Sequence, residues 1–117
     1  MEAVQDALAS LMARAEVNGV ALVGPDGLMV ASQVDRSIDA EALAALGVTL
    51  VRSSQQLASA AGRENPERLV IETPSGMILA CPLTDGAILL VLASEQAGIG
   101  KLLYDLRQIR GNLAALL

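Results

Sequence analysis

The sequence predicts a mixed α/β domain of the α+β kind, in which one mostly antiparallel five-stranded sheet carries helices on both faces. Three observations lead there. Apolar residues recur with helical periodicity in three segments, at the start, middle and end of the chain. Between them lie five short β-type runs, grouped as two and then three. Within each group the runs are joined by turn clusters, which impose antiparallel pairing, and only the crossing through the central helix is long.

The first helix is predicted over Glu2 to Glu16, because Val4, Leu8, Leu11, Met12 and Ala15 return at three- and four-residue steps. Asn18-Gly19 is expected to end it, glycine being suited to a left-handed C-terminal cap. Val20 to Val23 is the first strand. Gly24-Pro25-Asp26-Gly27 then supplies a proline that presets φ and residues that tolerate the rest of a tight turn, so Leu28 to Ser32 returns as a hairpin. After the polar stretch Gln33 to Ile38, Asp39 is placed to cap a long helix, with Glu41 near its positive end. That helix runs to about Ala61, and Gly62 is its C-cap. It carries an apolar stripe of Leu43, Leu46, Leu50, Leu57 and Ala61 beside a stripe of mostly small residues, Gly47, Val51, Ser54 and Ala58.

Asn65-Pro66 opens a loop, since the residue before proline disfavours helix. Three strands follow: Arg68 to Thr73, Met77 to Pro82 and Ala87 to Ala93, joined by the turn clusters Pro74-Ser75-Gly76 and Thr84-Asp85-Gly86. The last is apolar on both faces, which marks a central strand covered from both sides. Ser94 is expected to cap the closing helix, with Glu95 in its first turn and a stripe of Ile99, Leu102, Leu103, Leu106, Ile109, Leu113, Leu116 and Leu117.

Composition bounds the function. A chain of 117 residues makes one domain, residues 1–117, with a core of its own. Its residues are 53% hydrophobic and only 1% aromatic, with ten glycines; counting glycine as apolar, the fraction passes the ~45–50% of ordinary domains. The surplus is expected to meet a partner. No apolar run approaches the ~18 residues of a membrane span, so no membrane insertion is expected. The acidic start of the chain does not read as an export signal, and the lone Cys81 fits a reducing cytoplasm. A net charge of −5 without stacking aromatics does not suit nucleic acid.

The residues of ordinary catalysis are missing. There is no histidine, the commonest general base and metal ligand. Cys81 lies inside a strand with no base nearby to make a thiolate. Gly24 to Gly27 and Gly98-Ile99-Gly100-Lys101 lack the spacing of a phosphate loop. Asp35, Asp39 and Glu41 lack the glycine-punctuated loop of a calcium site and read as capping and solvated residues. No catalytic residue, cofactor or metal ligand is expected. Lys101, Arg107 and Arg110 on the closing helix complement its negative end or form a contact strip for an acidic partner. Arg52, Gln55, Gln56 and Ser59 give the long helix a mild polar face, either plain solvent exposure or a partner contact.

The stretch Val17-Asn18-Gly19-Val20-Ala21-Leu22-Val23-Gly24-Pro25-Asp26-Gly27-Leu28-Met29-Val30-Ala31-Ser32 resembles the N-terminal hairpin of the Roadblock family. That family comprises the dynein light-chain Roadblock proteins and bacterial relatives, among them a gliding-motility regulator that acts on a Ras-like GTPase. The resemblance continues through the long helix to Arg68-Leu69-Val70-Ile71-Glu72-Thr73 and the apolar strand Ala87 to Ala93. It implies a profilin-like αββαβββα fold with sheet order 2-1-5-4-3. It also implies homodimers, or family heterodimers, in which the third strands pair edge to edge and the long helices pack together. On this chain the pairing strand would contribute Leu69, Val70 and Ile71, and the helix face Gly47, Val48, Val51, Ser54, Leu57 and Ala58. The function implied is non-catalytic: a homodimeric regulatory or docking module for a small Ras-like GTPase. An arginine lent to that GTPase would come from Arg52, Arg63 or Arg68. The alternative is a structural dimerisation or adaptor subunit of a larger signalling or motility complex. A small-molecule sensor would need a polar-lined pocket, which an aliphatic core does not offer.

Overall fold

The computed structural model describes residues 2–83, 86–94 and 99–116. In chain order these form α1 (Glu2–Met12), β1 (Val17–Val23), β2 (Met29–Gln33), α2 (Ala40–Ala60), β3 (Leu69–Thr73), β4 (Gly76–Pro82), β5 (Ile88–Ala93) and α3 (Ile99–Leu116). The strands make one five-stranded sheet of order β2-β1-β5-β4-β3, and every neighbouring pair is antiparallel. The expected element order and sheet order are therefore both present.

Local chemistry accounts for most boundaries. Asp39 caps α2 by accepting from the Ala42 N–H at 3.1 Å. At the other end Gly62 takes φ +72, which lets the Arg63 N–H reach back to the Ala58 carbonyl at 2.8 Å. In the first hairpin the Gly27 N–H donates to the Gly24 carbonyl, and Asp26 Oδ1 accepts from the Leu28 N–H.

The N-terminal segment departs from expectation. The first helix ends at Met12 rather than Glu16, and β1 begins at Val17, so Asn18 and Gly19 lie within a strand instead of capping the helix. The reason is long-range. Val17 and Gly19 pair with Ala93 and Leu92 of β5 across a bulge, and the Ser94 N–H donates to the Glu16 carbonyl. A central strand offers those backbone groups more partners than a frayed last helical turn does. Thr84 and Asp85 of the last hairpin turn, and Glu95 of the expected helix start, lie outside the described residues.

The alternation of strand residues divides the core. One face of the sheet, including Val20, Leu22, Leu79, Leu89 and Val91, packs under α1 and α3 through Leu8, Leu11, Leu102, Leu106 and Leu113. The other, with Ala21, Val23, Ala80, Ile88 and Leu90, is covered by α2 through Ala44 and Val51. As its apolar sequence predicts, β5 is buried on both sides. The α1–α3 side is tied by Arg14, whose guanidinium bonds Glu16 at 2.7 Å and reaches Asp105 of α3 at 2.5 Å.

Candidate functional site

The interior of the fold holds little chemistry. The Cys81 thiol is buried, and burial pushes its pKa up, against the smaller opposing pull of Arg110 and Arg68, so it stays neutral and unreactive. Asp35 accepts from the Ser37 N–H at 2.8 Å, and that bond holds its carboxyl below the usual range. Together with the Asp39 cap, this gives the acidic residues of that loop local structural partners. Among the described residues no group of His, Cys, Asp or Glu is arranged to hold a metal ion.

The surface is more informative. A groove of about 470 Å³ runs between α2 and the β3–β4 edge, walled by Leu43, Leu46, Leu50, Ile71, Ile78 and Leu90. It exists because α2 lies over the middle of the sheet and leaves its far edge uncovered. Leu46 is 68% exposed there, and Ile71 36%. Three turns farther along the same stripe of α2, Leu57 is 72% exposed. β3 is the outermost strand, so among the described residues its second edge of N–H and C=O groups is unpaired, and Val70 is exposed along it.

The residues expected at a dimer contact fall into two groups. Leu57, Val70 and Ile71 are exposed, while Leu69 is half-buried against the α2-side core. Gly47, Val48 and Val51 instead face this chain's own sheet. A β-carbon at Gly47 would stand 3.0 Å from Leu90 Cδ1, Val51 is buried, and Val48 packs on the same cluster. Ser54 is half-buried and donates to the Val51 carbonyl at 2.7 Å; Ala58 is half-buried beside it. The close approach that Gly47 permits is thus between helix and sheet within one chain. Small helix residues seat on large sheet residues, Leu43 and Leu50 of the neighbouring stripe rest half-buried against the same cluster, and Leu46 and Leu57 are left outward. Sequence reasoning missed Leu46, Leu50 and Ile78 as residues lining the groove, although the leucine periodicity that marks the first two was visible.

Arg52, Gln55, Gln56 and Ser59 lie together along a shallow depression of α2. Arg107 pairs with Glu67 at 3.3 Å, Arg68 approaches the same carboxylate at 3.9 Å, and Arg110 donates to the Glu67 carbonyl at 3.2 Å. Arg107 and Arg110 of α3 are therefore engaged with the loop before β3.

An aliphatic α/β sandwich with an unpaired strand edge beside an apolar groove defines a class: a small module whose exposed features are suited to protein contacts. Within that class, the chain belongs to the Roadblock/LC7 domain family, whose profile matches residues 3–93. An uncharacterized protein of Methanocaldococcus jannaschii, MJ0310, is 28% identical over 100 residues, covering 86% of this chain and 87% of that protein. Among solved structures, Myxococcus xanthus MglB superposes with a TM-score of 0.85 at 19% identity, covering 97% of this chain and 94% of the other. LokiProfilin2, from its complex with rabbit actin, superposes at 0.72 with 18% identity over 100% and 99% of the two chains. The fold is accordingly that of Roadblock domains and is profilin-like.

Proposed function

We propose that this chain is a non-catalytic homodimeric module that docks or regulates a small Ras-like GTPase. The observation that carries the reading is the continuity of the α2 groove with the open edge of β3. A second copy pairing along β3 would extend the sheet, shelter Ile71 and Ile78, and bring a second α2 against the Leu46–Leu50 wall. That removes an edge which isolated proteins usually blunt or cover. The pairing surface is then built from Leu43, Leu46, Leu50, Leu69, Val70 and Ile71, with Gly47, Val48 and Val51 supporting it from beneath.

The GTPase part of the reading is supported by membership in the Roadblock/LC7 family and by the resemblance to its bacterial regulators. A module without chemistry of its own acts by binding one arrangement of a GTPase's switch segments more tightly than another. The Arg52–Gln55–Gln56–Ser59 strip is the contact surface offered for it, being polar, exposed but for the half-buried Gln55, and set apart from the groove. The test is calorimetry of the dimer against the Ras-like GTPases of the same organism, loaded with GDP or a GTP analogue. Binding that differs between the two states is expected, and Arg52→Ala should weaken it. A properly dimeric sample that binds neither state overturns the GTPase reading and leaves a dimerisation or adaptor subunit.

A further inference from the structure

We infer that two copies of this chain pair along β3 in one particular register, centred on Val70, with Arg68 of each copy facing Glu72 of the partner subunit. The inference rests on the β3-paired dimer proposed above and adds the alignment and the residues that select it.

The geometry of β3 restricts the choices. Its pairing with β4 sets Leu69 against Ala80 and Ile71 against Ile78, on the α2 side of the sheet. Val70 and Glu72 stand against Leu79 and Met77, on the α1–α3 side. Arg68 shares that side, lining a hollow with Cys81, Leu103 and Arg110. The two-residue turn Pro74-Ser75 closes on Thr73 and Gly76. By the alternation of an antiparallel ladder, Leu69, Ile71 and Thr73 then direct their N–H and C=O groups to β4. Those of Arg68, Val70 and Glu72 point outward, towards a second copy.

A two-fold axis normal to the sheet keeps both α2 helices on one face and opposes residues that share a face. The symmetric registers are therefore centred on single residues. Centring on Glu72 puts like carboxylates directly opposite, which is destabilising. Centring on Ile71 opposes Val70 to a carboxylate and Arg68 to Pro74, whose nitrogen has no hydrogen to give. Centring on Leu69 opposes Glu67 to Ile71, and Arg68 to Val70. Centring on Val70 matches every position from Arg68 to Glu72. Val70 meets Val70, Leu69 meets Ile71 twice on the apolar side, and Arg68 meets Glu72 twice on the other. All three outward-facing residues exchange backbone bonds.

The charges are also free to serve. Among the described residues of one protomer, Arg68 has only the 3.9 Å approach to Glu67, which Arg107 holds more closely. Among the described residues Glu72 has no ion-pair partner. Residues directly opposite in an antiparallel pair have β-carbons about 4.5–5.5 Å apart, within easy reach for arginine and glutamate.

Charge exchange on the full chain tests this. Arg68→Glu alone, or Glu72→Arg alone, makes both cross-pairs like-charged and should weaken the homodimer roughly tenfold at low salt. An equimolar mixture of these two variants restores both pairs, so native mass spectrometry should find heterodimer well above the half that random pairing gives. The double variant Arg68→Glu/Glu72→Arg should dimerise like the unaltered chain, which also controls for any effect on folding. Dimers that form with random mixing and no loss in the single variants overturn the register while leaving the dimer standing. An unaltered chain that sediments as a monomer at micromolar concentration overturns both.

Discussion

Gly47 weakens its helix by about 1 kcal/mol relative to alanine, yet it sits where a β-carbon would stand 3.0 Å from Leu90 Cδ1. Close seating of α2 on the sheet is what the glycine permits. Gly47→Leu is expected to unfold more easily, by about 1–3 kcal/mol for an overpacked core, in urea titrations run dilute enough to keep the chain monomeric. Leu46, one residue earlier and 68% exposed, should behave in the opposite way. Leu46→Glu is expected to shift monomer stability by less than about 0.5 kcal/mol while lowering the dimer fraction in sedimentation. The two substitutions separate what lies inside the chain from what lies between copies. At this scale the sequence showed both stripes of α2 but not their assignment. Leucine and small-residue stripes are each compatible with burial, and the choice depends on the bulk of Leu90, which is far away in sequence.

At the scale of elements, β3 and the α1–β1 junction each carry a distinct expectation. The Val70 N–H points away from β4, so Val70→Pro removes a donor only a second copy would use. It should abolish self-association while the circular dichroism of the monomer is kept; loss of folding with it would place that N–H inside the sheet. At the junction, Glu16's carboxyl is held below its usual 4.5, first by a bond from its own backbone N–H and then by Arg14. A depressed folded value adds stability that is present above the unfolded pKa and is lost as pH falls through the folded one. The difference in melting temperature between the native chain and Glu16→Gln should therefore be seen at neutral pH and vanish in acid. Caps and turns such as Asp39, Gly62 and Gly24–Gly27 were legible because their bonds span a few residues. The end of α1 at Met12 was not, since it is set by pairing with β5 at the other end of the chain.

For the molecule as a whole, the expectation is that assembly and stability are linked. A chain that associates only when folded gains stability by mass action, so its melting temperature rises with protein concentration. Differential scanning fluorimetry over a hundredfold concentration range should show that rise in the unaltered chain. Its absence in Leu46→Glu would assign the effect to the groove. The surplus of aliphatic residues noted from composition has a location at this scale: Leu46 and Ile71 in the groove, Val70 along the strand edge, and Leu57 farther along α2. The sequence by itself determined the number, order and kind of elements, and through its turn clusters the antiparallel hairpins. Those follow from periodicity and short-range bonding, which act along the chain. Only the tertiary structure decided which stripe of α2 meets the sheet and which remains outward. That choice is made by shape: Gly47 and Val51 close against Leu90 and its neighbours, Leu43 and Leu50 rest at the margin of that contact, and Leu46 and Leu57 are left outward.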